Sequence, residues 1–223
     1  MSEIFLTSDL HFCHNKEFCY GPRGFSTVDE MNEALVENYN KIVRPDDIVY
    51  ILGDCVLNDN EKGMKLLRSL NGHKYIALGN HDTRDRIEQY LHIAEAVEFG
   101  YRFRHKKIEL WLSHYPMMMG NFDDPKPVWN LSGHTHSKDP FEHADNRVYN
   151  VCVDAHNNTP ITLDEAVDAI KAYMRKQREE RQARSIELNC NHCVEYPHYC
   201  SGGYACPPGL KYRRDPPDGG YYG

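Results

Sequence analysis

Short apolar runs in this chain end five times on side chains that seek metal ions. IFLTS runs into Asp9-Leu10-His11, IVYIL into Gly53-Asp54, and YIAL into Gly79-Asn80-His81-Asp82. ELWLS meets His114, and VWNLS meets Gly133-His134-Thr135-His136. Hard carboxylate and carboxamide oxygens mixed with borderline imidazole nitrogens suit divalent Mn, Fe, Zn or Mg, and the set is too rich for one ion. Asp9 and His11, two apart on an extended segment, would face the same way and chelate one ion together. His134 and His136 share that spacing, but the glycine turn before them lets them diverge to separate ions. Glycines 53, 79 and 133 would permit the sharp turns that aim each following side chain inward. Asp54, central among the motifs, is the natural bridge between two cations. Two ions about 4 Å apart can orient a bridging hydroxide, lower the pKa of bound water to about 7, and neutralise a phosphoryl group in flight.

The elements that must position these residues can be read from the pattern between them. Thr27-Val28-Asp29-Glu30 resembles a capping box, followed by Met31, Leu35, Tyr39 and Ile42 at helical spacing. Met31, Leu35 and Tyr39 are core candidates. Pro45-Asp46-Asp47 should close that helix and start IVYIL. A helix near Glu61 to Leu70 should stop at Asn71-Gly72, and a short charged helix follows near Arg84 to Tyr90. Beyond Val97 the pattern turns to strands: a YRFRH/IELWL hairpin about Lys106-Lys107, then VWNLS and RVYNVCV. Alternation followed by a strand-rich half predicts an α/β domain of layered mixed sheets. A second capping box, Thr162 to Glu165, should open a helix that docks Ala166, Val167, Ile170 and Tyr173-Met174 on the core. KQREERQAR beyond it has almost no apolar face and reads as a solvated extension.

A chain of 223 residues with net charge −7 has one good core and no global basic footprint for nucleic acid or anionic membrane. No apolar run is long enough to span a bilayer and no signal peptide opens the sequence, so a cytoplasmic location is expected. The eight cysteines split into scattered Cys13, Cys19, Cys55 and Cys152, expected to be reduced, and a tail cluster of Cys190, Cys193, Cys200 and Cys206. C-x-x-C is a nucleus for tetrahedral zinc, and a Cys-, Gly-, Pro- and Tyr-rich segment cannot fold by apolar burial alone, leaving metal stapling or disorder.

In their order, D-x-H, G-D, G-N-H-D, S-H and G-H-x-H resemble the calcineurin-like metallophosphoesterase superfamily over residues 1 to about 160. The surrounding TSDLHFCHN, EMNEALVENYN, PDDIVYILGD, LNGHKYIALGNHD, LSHYP and SGHTHS resemble its small bacterial and phage phosphoesterases. The resemblance implies a four-layer αββα sandwich of two mixed sheets, with a C-terminal helix and the Cys-rich tail appended. It implies a phosphoesterase domain over 1–184 and a tail over 185–223. Asp9, His11 and His136 would hold one ion, Asn80, His114 and His134 a second, with Asp54 shared. His81 would stand over the substrate as general acid. Two features depart from the family pattern. Cys55-Val56-Leu57-Asn58 lacks the carboxylate that often orients the catalytic histidine, leaving Asp54 or a backbone carbonyl for that task. Cys13 stands where close relatives tend to have glycine, and its side chain would narrow or reshape the pocket mouth.

The expected activity is hydrolysis of a phosphodiester, or of a phosphomonoester, by attack of the metal-bridging hydroxide on a small or nucleotide-like substrate. The alternatives are a nuclease or nucleotide phosphatase of the same superfamily, or a non-catalytic metal-binding scaffold. Mn is the first choice of metal, with Fe, Zn or Mg alternatives and a structural Zn in the tail. Nucleic acid is not favoured, no membrane is involved, and the tail could take a protein partner. His14 and Arg84 are candidates to touch the substrate. Asp154 and Asn157 are candidates to orient a ligand histidine, or to serve a turn. Specificity would reside around His14, Arg84 and residues 117–122.

Overall fold

The first four strands fall on the apolar runs that precede the metal-seeking residues or on their neighbours. β1 (Ile4–Thr7), β2 (Ile48–Leu52), β3 (His73–Ala77) and β4 (Ala96–Glu98) all run parallel, and the two-residue β9 (Ile161–Thr162) pairs antiparallel with β1. The order of this sheet is β4-β3-β2-β1-β9. A second sheet runs β5 (Gly100–His105), β6 (Ile108–Ser113), β7 (Val128–Ser132) and β8 (Val148–Asn150). Its β5–β6 pair is the expected antiparallel hairpin, and β6, β7 and β8 are parallel. The computed structural model describes residues 2–118, 128–144 and 147–195, the segment 185–195 by backbone only.

Helices cover the first sheet through periodic apolar faces. α1 (Glu17–Tyr20) is a single turn; α2 (Val28–Ile42), α3 (Asn60–Ser69) and α4 (Arg84–Tyr90) follow β1, β2 and β3. Met31, Leu35 and Tyr39 of α2 and Met64 and Leu67 of α3 join Val49, Ile51 and Ile76 in one buried cluster. Removing three or four apolar side chains of this kind would each cost about 2–5 kcal/mol, so this layer holds the sheet in place. Between the sheets, Tyr50 meets the rings of Tyr75, Tyr101 and Phe103 at centroid distances of 5.0–5.6 Å. The first part of α5 (Leu163–Glu195), up to Tyr173, buries Leu163, Ala166, Val167 and Ile170 and sets Tyr173 against Trp129 of β7 in the second sheet. Two mixed sheets with helices outside them form the expected α/β sandwich.

Local departures from the sequence reading have physical reasons. Thr27 caps α2, but Glu30 reaches back to the amide of Ser26 rather than that of Thr27. The second box is complete: Thr162 Oγ1 accepts from the Glu165 amide, and Glu165 accepts from the Thr162 amide. α3 ends on an extended Leu70, with the left-handed turn two residues on at Gly72 (φ +84°). RVYNVCV is a strand only over Val148–Asn150, because Cys152 leaves the second sheet to bridge Ser8 beside β1. Residues Met1–Tyr173 form one compact unit and Met174–Gly223 fall in another. Between Tyr173 and Arg184 the helix has no apolar stripe, and residues 178–184 are exposed. Among the described residues, no helix is long and apolar enough to cross a membrane. Of the proposed tail zinc ligands, Cys190 and Cys193 lie on α5 with side chains outside the described set, and Cys200 and Cys206 lie outside the described residues.

Candidate metal centre

Parallel strands deliver their C-terminal ends to one rim, and backbone bonds carry the pairing past them. Asp9 N–H donates to the Gly53 carbonyl (3.1 Å), His11 N–H to that of Asp54 (3.0 Å), and Gly133 N–H to that of His114 (3.0 Å). The path is not the extended one expected for D-x-H: Asp9 and His11 have φ of +56° and +51°, as does Asp54 at +51°. These left-handed residues coil the chain so that side chains from successive positions converge. Such non-glycine backbone costs on the order of 1–3 kcal/mol per residue and persists where surrounding structure enforces it, as at functional sites. The glycines act differently from expectation as well. Gly53 does take a left-handed turn (φ +89°), whereas Gly79 and Gly133 serve by leaving room. A Cβ on Gly79 would lie 2.2 Å from Asp54 Oδ1, and one on Gly133 2.1 Å from Asp9 Oδ2.

Each carboxylate spends one oxygen on structure and leaves the other facing the cavity. Asp9 Oδ2 accepts from Ser8 Oγ (2.6 Å) and the His134 amide (2.9 Å). Its Oδ1 is buried without a partner and lies 3.8 Å from His11 Nε2 and 3.7 Å from His136 Nε2. Asp54 Oδ1 accepts the His81 amide at 2.9 Å, while Oδ2 lies 3.6 Å from both His11 Nε2 and His114 Nε2. His114 Nε2 in turn lies 2.9 Å from Asn80 Oδ1 and 3.1 Å from His134 Nδ1. Separations of roughly 3–4 Å are those of atoms about 2.1 Å from a shared cation. His11 Nε2 is also buried without a partner, and such orphaned groups demand an occupant. Asp9, His11 and Asp54 place one donor atom each within 4.8 Å of one another. The donor set therefore fits divalent cations, and the structure brings all seven expected ligands to one rim.

The rings are prepared for the same task. His114 Nδ1 donates to the Leu52 carbonyl at 2.9 Å and His136 Nδ1 to Asp154 at 2.8 Å, turning each Nε2 lone pair inward. Burial holds His11 below the usual imidazole range despite the opposing pull of Asp9. Burial and neighbouring His114 do the same to His134, so both favour the neutral, ligating form. For Asp9 burial acts to raise the pKa, but His11 bonding and the nearby His136 and His114 hold it well below the usual carboxylate range. His136 moves up, because Asp154 and Asp9 outweigh its burial.

His81 projects from the turn after β3 with its side chain 45% exposed and Nε2 4.0 Å from Asp54 Oδ2. Its backbone is gripped at both ends, by Asp54 at the amide and by Arg86 Nη1, 2.6 Å from its carbonyl. Of the two alternatives for orienting it, Asp54 is the group at hand. Leu57 stands where the missing carboxylate would be and is buried, and Asn58 after it bonds the Cys13 carbonyl (3.2 Å). Cys13 does not narrow the pocket mouth: it is 5% exposed and its thiol belongs to the core, although φ is +66°. His14 lies beside the site, its Nδ1 3.1 Å from His11 Nδ1 and its ring stacked on His11 and edge-on to Phe18. Arg84 points to solvent, 90% exposed and paired with Glu88, while Arg86 braces the His81 turn. Tyr115 reaches the rim, its ring 5.0 Å from His114 and 4.9 Å from His134. Asp154 touches His136, whereas Asn157 occupies a left-handed turn (φ +53°).

Three supports carried no signal in sequence spacing. Asp82 is buried and accepts from the amides of Asp54 (3.0 Å) and Gly79 (2.8 Å) and from Tyr90 Oη (2.8 Å), tying two ligand loops together. Arg23 is buried behind Asp9 and Asp154. Arg86 is the third. The G-N-H-D motif already contained Asp82, but only folding shows that its partners are backbone amides.

The calcineurin-like phosphoesterase family model matches residues 2–206. The chain belongs to that family. This phosphoesterase is thus a metal-dependent hydrolase of phosphoric esters. It is 36% identical to the uncharacterized protein MJ1445 of Methanocaldococcus jannaschii over 77% of the chain and 93% of that protein. It is 28% identical to the gene 66 protein of Mycobacterium phage L5, over 76% of the chain and 95% of that protein. Among solved structures it shares its fold with AQ665 of Aquifex aeolicus, a protein of unknown function. There the TM-score is 0.60 and the identity 22%, over 76% of the chain and all of that protein.

Proposed function

We propose that the phosphoesterase is a dinuclear phosphodiesterase in which Asp54 is shared by two divalent ions, with Mn the first choice. The observation that carries this reading is Asp54 Oδ2, equidistant at 3.6 Å from a histidine of each half of the centre. Asp9, His11 and His136 surround one side, and Asn80, His114 and His134 the other. When bound, the ions supply Lewis acidity toward the phosphoryl oxygens and a nucleophile drawn from water at neutral pH. The protein holds the phosphoryl group at the rim, and burial favours the neutral form of His11 and His134. His81, half exposed above Asp54, hands a proton to the departing alkoxide. Its anchored backbone and half-exposed ring suit a group that must meet substrate and then release it.

His14 and the adjoining Phe18 flank the approach on the side of His81 and contact the ester substituent. Arg84, free at the surface apart from Glu88, is the weaker substrate contact. A small or nucleotide-like ester fits an acidic chain better than extended nucleic acid does. Cys13, Cys19, Cys55 and Cys152 are all free and buried, which supports a reducing, cytoplasmic compartment. The test uses the full chain stripped of metal and reloaded with Mn. Two equivalents should bind, and bis-p-nitrophenyl phosphate should turn over faster than p-nitrophenyl phosphate. Binding of one equivalent overturns the dinuclear reading, and faster monoester turnover overturns the diester reading. No turnover of either ester favours a scaffold.

A further inference from the structure

We propose that Arg23 and Asp154 form a positioning pair that sets the affinity of one half of the centre, the half built from Asp9, His11 and His136. The inference rests on the dinuclear reading above. Arg23 sits in the loop between α1 and α2, outside every motif, yet its side chain is 1% exposed and that of Asp154 8%. Nε and Nη2 of the guanidinium meet Asp154 Oδ1 and Oδ2 at 2.9 and 2.8 Å. The rest of the fork is also used: Nη2 donates to the Asp9 carbonyl at 2.8 Å and Nη1 to the Leu10 carbonyl at 3.1 Å. Asp154 Oδ2 accepts His136 Nδ1 at 2.8 Å and the Cys152 thiol at 2.9 Å. One planar cation thereby joins the loop carrying Asp9 and His11 to the loop that aims His136.

A buried ion pair is a poor source of stability, since desolvation offsets its Coulomb gain. What it supplies here is geometry. A bidentate arginine fixes a carboxylate in plane and direction, and a carboxylate on the far nitrogen of a ligating histidine fixes the ring and raises its basicity. The other half of the centre has a different support, since His114 Nδ1 donates to a neutral carbonyl, that of Leu52. Changing the pair should therefore affect one ion and spare the other.

The experiment titrates Co²⁺ into metal-stripped full-length protein, followed by calorimetry and visible absorption. Wild type should show two steps at the rim, read apart from any thiolate charge-transfer band of the tail cysteines. Asp154→Asn should weaken one step by about 10–100-fold, the range found when such partners are removed, and leave the other in place. Because that variant leaves Arg23 buried without its partner, the double variant Arg23→Met/Asp154→Asn, which removes both charges, serves as the second arm. It should lose the same step and keep a cooperative melt without metal. Arg23→Lys, with charge but no fork, should fall between wild type and the double variant. Equal weakening of both steps in the double variant means a general structural role and overturns the proposal. Titrations that superpose on wild type overturn it as well. If wild type itself shows one step, the dinuclear reading falls, and the pair is then judged by whether that single step weakens in the double variant.

Discussion

Around Asp9, His11 and His136 the supporting groups are charged: Arg23 bonds the Asp9 and Leu10 carbonyls and Asp154, and Asp154 bonds His136. Around Asn80, His114 and His134 the ligand rings meet neutral partners, the Leu52 carbonyl and the Asn80 carboxamide. The formal charge differs likewise. In the proposed dinuclear arrangement both halves share Asp54, but Asp9 adds a second carboxylate to the first, where the other half has only Asn80. More anionic charge at the same distance attracts a cation more strongly in a poorly screened site. The first half should fill first and release last; the second should be the more exchangeable. Beneath both lies Asp82, which holds backbone amides and no ligand ring.

The largest effect should come from the one residue that belongs to both halves. Asp54→Asn removes a negative charge from each and disturbs the carboxylate that holds the His81 amide. Turnover should fall by more than the roughly 10²–10⁴-fold credited to a positioned acid or base, and both Co²⁺ steps should weaken. If one step survives at full strength, Asp54 is not shared. His81→Asn comes next. Its ring is a ligand of neither half, and the substitution keeps the backbone amide that bonds Asp54, so both metal steps should remain, while turnover of esters with alkyl leaving groups drops by about 10²–10⁴-fold. p-Nitrophenyl esters, whose leaving group needs little protonation, should lose much less. An equal loss on both substrates would remove the acid role. Asp82→Asn should follow. The neutral side chain still fills its place but weakens bonds from two amides and Tyr90, costing about 1–3 kcal/mol of stability. The metal effect should fall on the shared Asp54 and on Asn80, whose loop Asp82 ties down through Gly79. Loss confined to the first half would contradict that division.

The convergence of the seven candidate ligands was legible because their motifs follow apolar runs, and the fold then carries those runs to one edge. The α/β layering was legible from period changes between Thr27 and Leu70 and again after Val97. The supports were not. Arg23 lies in GPRGF, with nothing in its neighbours to mark it as buried, and its value depends on Asp154, 131 positions away. Local spacing also misled at Asp9 and His11, where the right pairing was expected for the wrong reason: the two converge by left-handed coiling, not along an extended strand. Cys13 shows the same limit, since a turn residue that looked free to face the mouth has its thiol in the core. Pattern reports which residues meet at a rim; it does not report what stands behind them.

The smallest effect tests whether carboxylate clamping of backbone is peculiar to the centre. Asp47, in the turn between α2 and β2 and away from the ligands, is fully buried and accepts from the amides of Glu3 (2.9 Å) and Arg44 (2.8 Å). Burial alone would raise its pKa, but those two amides and the Arg44 guanidinium carry it below the ordinary carboxylate value. A carboxyl with a depressed folded-state pKa contributes stability that is present above its unfolded pKa and lost as pH falls through the folded one. Asp47→Asn lacks that contribution at every pH. The melting-temperature gap between wild type and variant should therefore be full at pH 7 and shrink below about pH 4, where the unfolded carboxyl begins to protonate. Activity and both metal steps should be unchanged. A gap that stays constant with pH would mean that Asn fails on shape, and clamping by charge would then be a property of the metal centre rather than of the fold.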